Sequence, residues 1–274
     1  MPGVTTAAIL RRLEAYYDAV PRSAARAEDF GPLTLFIAEG RAGHPYYARP
    51  ALDRPGPVEA ADVERVRARQ RQLGLPESFE WVAETAPTLR SAVEGSGLAV
   101  QQHPLMVLDE PAPPARTEAG VRILDPEDPL LPQALAAAHL AFGTPGTGIG
   151  PVGPAQLDAQ ARELAEAGWV RRTAGRMRAG LTVVAAAVTD GTVLGSGQHQ
   201  PVGPVSEIVG VGTLPSARRR GLAAAVTAEL VHDARTRRGV TTVFLTAADD
   251  DIARGYARLG FRRVGTALIA GPPE

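Results

Sequence analysis

The stretch "LPSARRRGLAAAV", residues 214–226, crowds three arginines against a glycine at the mouth of an alanine-rich helix. A helix N-terminus already presents unpaired backbone N–H groups and the positive end of the macrodipole. Placing Arg218, Arg219 and Arg220 there is electrostatically awkward unless an anion occupies the turn. Gly221 lets the backbone come close to such a ligand, Ala223 keeps the next turn small, and the arginines can add charge-assisted bonds. A pyrophosphate or a phosphorylated carrier fits this turn. The other reading is a glycine cap with solvated arginines.

The neighbouring segments place the turn in a fold. Leu222, Val226 and Leu230 recur at i, i+4 and i+8, giving this helix one apolar face, and Gly239 is its natural stop. Before it, "SEIVGVGTL" (206–214) reads as a strand. After it, "VTTVFLT" (240–246) is β-branched enough for a buried strand. Further upstream, "TVVAAAV" (182–188) and "TVLGSGQHQ" (192–200) flank Thr189-Asp190-Gly191, a hairpin signal. Still earlier come a strand at "VRIL" (121–124), a helix from Leu130 to Phe142, the loop "GTPGTGIGPVGP" (143–154) and a long helical stretch from Ala155 to Arg178. Downstream, "DDDIARGYARLG" (249–260) predicts a short helix and "FRRVGTALIA" (261–270) a closing strand. The class is α+β, a mixed and mostly antiparallel central sheet flanked by helices.

The proline-rich, charged segment "DEPAPPARTEAG" (109–120) has the composition of a linker. It divides the chain into a first domain over 1–110, a linker over 111–120 and a second domain over 121–274. In the first half, a helix at 60–74, a strand at 78–83, a glycine-ended helix at 88–97 and a strand at 98–109 repeat the element order of 221–270. This order predicts a degenerate duplication.

Composition narrows the function. The 274 residues carry 29 Lys and Arg against 30 Asp and Glu, which argues against bulk binding to nucleic acid or an anionic membrane. There is no cysteine, hence no disulfide and no thiolate nucleophile. The five histidines show no ligand spacing, so no metal is expected. No apolar run is long enough to span a bilayer, and the N-terminal stretch, broken by Arg11, Arg12 and Glu14, reads as an amphipathic helix rather than a leader. The expected location is the cytoplasm. The sequence leaves oligomeric state open.

The 214–226 turn is neither a Walker loop nor a dinucleotide fingerprint, since no Gly-Lys-Ser/Thr or Gly-x-Gly-x-x-Gly stands there. Instead Arg218-x-x-Gly221-x-Ala223, after a strand and opening a helix, resembles the acyl-CoA motif of the GNAT (GCN5-related) N-acetyltransferases. "YARLGF", Tyr256 to Phe261, resembles the family's second motif and follows at the family distance. The resemblance covers most of the second half. The first half lacks both motifs: 49–62 holds no Arg-x-x-Gly-x-Ala, and Val93 stands where a counterpart of Tyr256 would fall. The chain thus looks like a tandem GNAT protein with a degenerate GNAT-like N-terminal domain, which would complete the fold, cover the second sheet or contribute to the acceptor pocket.

The resemblance implies acetyl-CoA as cosubstrate. Val211, Gly212, Thr213 and Leu214 would line its pantetheine arm, with Thr213 where valine is usual. Arg219, Arg220, Gly221, Leu222 and Ala223 would wrap the pyrophosphate, with Arg218 leading the motif. Tyr256 would protonate the departing thiolate, or else serve as a core aromatic. Asp249 stands where the family often has asparagine, and equally suits the cap of its helix. For the base that deprotonates the acceptor, Glu207 is the first candidate and His199 the second; either could be a surface residue. The adjacent tyrosines and histidine of "GHPYYARP" (43–50) could contact an acceptor or simply belong to a strand. The implied activity is transfer of acetyl to a primary amine, small molecule or peptide, by direct attack in a ternary complex. The alternatives are a non-catalytic acyl-CoA-binding or sensing protein, and transfer of another acyl or aminoacyl group.

Overall fold

The computed structural model describes residues 5–39, 47–52, 54, 56–110, 117–144 and 146–273. In chain order its elements are α1 (Thr6–Arg22), β1 (Ala25–Asp29), β2 (Leu33–Ala38), β3 (Ala48–Pro50), α2 (Ala60–Gln72), β4 (Phe79–Val82), α3 (Leu89–Gly95) and β5 (Ala99–Leu108). There follow β6 (Gly120–Ile123), α4 (Leu131–Phe142), α5 (Pro154–Glu166), α6 (Trp169–Arg178), β7 (Val183–Thr189), β8 (Thr192–Val202) and β9 (Val205–Thr213). The chain ends with α7 (Leu222–His232), β10 (Thr242–Thr246), α8 (Asp250–Ala257) and β11 (Phe261–Gly271). Most of the expected linker, 111–116, and His44 and Tyr46 of the tyrosine pair lie outside the described residues.

Two compact units result. The first comprises Met1–Met106 with two returning segments, Thr246–Ala253 and Arg263–Glu274; the second comprises Val107–Leu245 and Arg254–Arg262. In the first unit the strands run β1-β2-β3-β4-β11-β5. The expectation of a single boundary near 110–120 is corrected here, because the closing strand does not finish the second unit. It pairs antiparallel with β4, Leu268 opposite Trp81 and Ala270 opposite Phe79. The cause is burial: Leu268 and Ala270 join Phe79, Trp81, Val63, Val66, Leu89 and Val93 in one apolar core. The helix–strand–helix–strand order read for 60–109 is present as α2, β4, α3 and β5.

In the second unit the strands run β10-β9-β8-β7-β6, antiparallel except that β10 lies parallel to β9. The helical stretch expected from Ala155 to Arg178 is two helices, broken where Gly168 takes φ +78°. Side chains on β8 alternate between two helical layers. Gly195 and Gly197 face α7, where an added Cβ would meet Leu222, Val226 and Leu230, whereas Ser196 bonds the carbonyl of Ala134 on α4. Among the described residues no helix is long and apolar enough to cross a membrane, and no group of three or more His, Asp or Glu is placed to hold a metal ion.

Candidate active site

The pairing of β9 with β10 supplies the site's frame. Register runs from Val205–Thr242 to Ile208–Leu245 and goes no further, although β9 continues to Thr213. On its other edge β9 stays paired with β8 as far as Thr213, through a bulge opposite Gly197 where Gly210 takes φ +62°. A bulge bends the strand that contains the extra residue. The edge of β9 from Val209 to Thr213 that would have faced β10 therefore keeps unpaired backbone groups. Gly212 sits where no side chain fits, since a Cβ there would lie 2.7 Å from Cβ of Ala141 on α4.

Beyond the strand, Leu214 is fully buried and its N–H bonds the carbonyl of Leu194 at 2.8 Å. Pro215–Ala217 form one 3₁₀ turn, and the chain then enters α7 through two left-handed residues, Arg219 at φ +67° and Gly221 at φ +75°. Left-handed residues so spaced curl successive N–H groups toward one side, the geometry of an anion nest. From Arg219 to Ala224 no backbone N–H has an acceptor among the described residues, and no side chain caps the helix. Arg219 and Arg220 are exposed and have no ion-pair partner among the described residues. Leu222 is buried, so only its N–H can face a ligand, whereas Ala223 is exposed.

The Arg218 guanidinium is used differently from the reading as an anion ligand. It donates to the carbonyls of Ala141 at 3.1 Å, Thr144 at 2.6 Å and Gly148 at 3.2 Å. A cation at these carbonyls satisfies the negative end of α4. What Arg218 can still offer an anion is its position in the loop.

Tyr256 lies on α8 with its ring edge-on to Phe261, centroids 5.8 Å apart. Burial of the hydroxyl pushes the phenol up to about 12, against the opposing effect of its hydrogen bond with Thr227. The hydroxyl of Thr227 donates to the carbonyl of Ala223 at 2.8 Å and is left to accept from the phenol, which sets Tyr256 one helical turn from the anion nest. Sequence reasoning missed Thr227, and its only signal is the i+4 spacing from Ala223. Asp249 caps α8, its carboxylate accepting from the N–H of Ile252 at 2.8 Å.

The two candidate bases fall on opposite sides of the sheet. Glu207 pairs with Gln200 and Phe244 and faces the α4 layer, half-buried. His199 faces α7 and is fully buried, with Nδ1 2.8 Å from Oγ of Ser206 and Nε2 2.9 Å from Oδ2 of Asp233. Burial lowers its affinity for a proton despite that carboxylate. With both nitrogens engaged and no route to solvent, His199 is a structural residue, and the second candidate for the base falls away.

Residues 154–261 match the model of the acetyltransferase (GNAT) family. Solved structures share the fold over most of the chain. A GCN5-related N-acetyltransferase from Kribbella flavida has TM-score 0.70 and 24% identity, covering 97% of this chain and 96% of that one. A tandem GNAT protein from the clavulanic acid biosynthesis pathway has TM-score 0.55 and 17% identity, covering 88% and 79%. A GCN5-related N-acetyltransferase-like protein from Streptococcus suis has TM-score 0.52 and 13% identity, covering 97% and 99%. No curated protein matches. Residues 154–261 thus match the GNAT acetyltransferase family model, and the chain shares its fold with GNAT-related structures over most of its length.

Proposed function

We propose that this protein is an N-acetyltransferase that takes acetyl from acetyl-CoA and passes it to a primary amine by direct attack in a ternary complex. The observation that carries this reading is the coincidence of two features at one end of β9. Its edge loses its partner after Ile208, and the adjoining loop offers six consecutive free N–H groups beside Arg219 and Arg220. The first suits an extended amide-bearing arm, to which Val211, Gly212, Thr213 and Leu214 would present backbone groups. The second suits a pyrophosphate at Arg219, Arg220, Gly221, Leu222 and Ala223. Arg218 serves this loop from behind, through the α4 carbonyls.

In the reaction the amine attacks the thioester carbonyl, the tetrahedral intermediate collapses, and the sulfur leaves as a thiolate, with the proton given up by the amine available to it afterwards. Tyr256 faces that sulfur. Its phenol stays protonated at every physiological pH, and since an ordinary thiol titrates near 8.5 it acts chiefly as a hydrogen-bond donor to the developing thiolate. Glu207 receives the acceptor's proton, directly or through water. Calorimetric titration with acetyl-CoA tests the reading: micromolar binding is expected, lost in a folded Gly221→Glu variant that sets a carboxylate where the pyrophosphate lies. Wild-type protein that does not bind would overturn it.

A further inference from the structure

The phenol of Tyr256 and the hydroxyl of Thr227 share a hydrogen bond, and a count of their hydrogens fixes its direction. Thr227 is fully buried on α7, with its Oγ1 2.8 Å from the carbonyl oxygen of Ala223. A carbonyl only accepts, so the single hydrogen of the threonine hydroxyl points there. The phenol must then donate to Oγ1 of Thr227, and the chain of donors runs Tyr256, Thr227, Ala223. In this arrangement the one hydrogen that Tyr256 owns is engaged by Thr227, and none is left for a sulfur.

The chain is built to reverse. Both hydroxyls donate and accept, and a hydroxyl hydrogen turns about its C–O bond. The carbonyl of Ala223 is not orphaned when Thr227 turns from it, because it stands four residues before the N–H of Thr227 and belongs to the helical ladder of α7. The ring of Tyr256 is braced edge-on by Phe261, so the hydrogens can move while the phenol oxygen stays in place.

We propose that Thr227 is a positioning residue for Tyr256: as the thiolate forms, the phenol turns its hydrogen from Thr227 to the sulfur, and Thr227 turns its own from Ala223 to the phenol oxygen. No covalent bond changes, and two hydrogen bonds are exchanged for two others. A phenol that is itself accepting is the stronger donor, since linked hydrogen bonds polarise one another. Without the threonine hydroxyl, Tyr256 faces the sulfur with no donor behind it. The inference rests on the acetyltransferase reading and extends it to the residue that aims the phenol.

The test needs no acceptor. The full chain is titrated calorimetrically with CoA and with acetyl-CoA at pH 6.5 and pH 9.5, either side of the value near 8.5 at which an ordinary thiol ionises. Acetyl-CoA has no thiol, so the ratio of the two affinities cancels what pH does to the rest of the site. In the wild type the ratio should rise in favour of CoA by about tenfold at the higher pH, the scale of a hydrogen bond to a charged atom. Thr227→Ser should keep that rise. Thr227→Val and Thr227→Ala should each cut it to about threefold or less, with acetyl-CoA affinity at pH 6.5 within a factor of two of wild type as proof of folding. A full rise in the valine and alanine variants would overturn the inference. So would a ratio flat with pH in the wild type, a serine variant that loses the rise, or a serine variant that no longer binds acetyl-CoA. Each of these leaves wild-type acetyl-CoA binding, and with it the acetyltransferase reading, in place. Wild-type protein that binds neither ligand overturns that reading and the inference with it.

Discussion

Nε2 of His199 lies 2.9 Å from Oδ2 of Asp233, and neither side chain reaches solvent. Asp233 caps this arrangement from the π-turn after α7, where Arg238 at 3.0 Å and Arg237 at 3.2 Å also bind it. Ser206 completes the chain from β9, two residues from the point where β10 parts company with that strand. The network therefore fastens the far end of α7 to the strand that frames the site. A serine, a histidine and an aspartate in series resemble a hydrolytic triad, but complete burial excludes a substrate.

This pair makes the protein acid-sensitive. Burial lowers His199 below the ordinary 6.5, so below that pH the unfolded chain binds a proton that the folded protein refuses, and this residue's contribution to stability falls as pH drops from 7 to 5. Burial opposes ionisation of Asp233, but its bonds to His199, Arg238 and Arg237 prevail and hold the carboxyl below 3.8, adding a loss of the same sign at more acid pH. His199→Gln should remove this residue's loss of stability between pH 7 and 5, so that the variant gains on wild type as pH falls, while costing about 2 kcal/mol at pH 7.5, because Asp233 keeps a poorer partner. Urea midpoints of both proteins at the two pH values check this. An unchanged slope would assign the acid sensitivity elsewhere.

In the first unit the sign reverses. Burial pushes Glu80 up to about 7 even though Arg49 is near enough to oppose it, and Arg49 itself is paired with Glu14. The folded protein holds a proton that the unfolded chain releases near 4.5, so this residue's contribution to stability is present below 4.5 and is lost as pH rises through 7. Glu80→Gln should leave stability at pH 4 nearly unchanged and raise it at pH 8, by roughly 1–3 kcal/mol. Thermal melts at the two pH values read the difference directly. A variant less stable at pH 8 would mean that the carboxylate is held by ionic contacts there.

For Tyr256 the test is kinetic. Tyr256→Phe should cut turnover tenfold or more and leave acetyl-CoA affinity within a factor of two, since the hydroxyl meets the sulfur only as the thiolate departs. With the phenol near 12, the pH–rate profile should show no descending limb from Tyr256 below pH 10. Full turnover in the phenylalanine variant would favour the reading in which the loop binds an acyl carrier without catalysis.

Local chemistry made part of this architecture legible. The turn at 189–191, the apolar face of α7 and the strands that flank it follow from residue spacing, because each is decided within a dozen residues. What stayed hidden depends on partners far along the chain. Strand β1, "ARAED", has three charged residues and no large apolar one, and exists because it pairs with β2 from Ala25–Ala38 to Asp29–Thr34. Strand β11 could belong to either unit by composition, and the core around Trp81 decides it. In the site, the motif residues mark the loop but not their side-chain roles. The use of Arg218 on the α4 carbonyls, and the burial of His199, depend on packing across 70 and 34 residues of sequence.

Arg219 offers the sharpest separation of ligand binding from stability. At φ +67° it is one of two non-glycine residues with positive φ among the described residues, the other being Asp190 in the hairpin turn. A left-handed arginine costs roughly 1 kcal/mol relative to glycine, and its exposed side chain has no partner among the described residues that offsets this. Arg219→Gly should therefore leave the fold as stable or raise it by up to about 1 kcal/mol, while weakening acetyl-CoA binding about fivefold or more through loss of a charge-assisted contact. The weakening should shrink with added salt, because the lost term is an ion pair near the surface. Calorimetric Kd at two ionic strengths, beside a urea melt, gives both signs from one preparation. A variant that is less stable yet binds as well as wild type would make the left-handed arginine a structural feature of the turn, with the pyrophosphate held by the N–H groups alone.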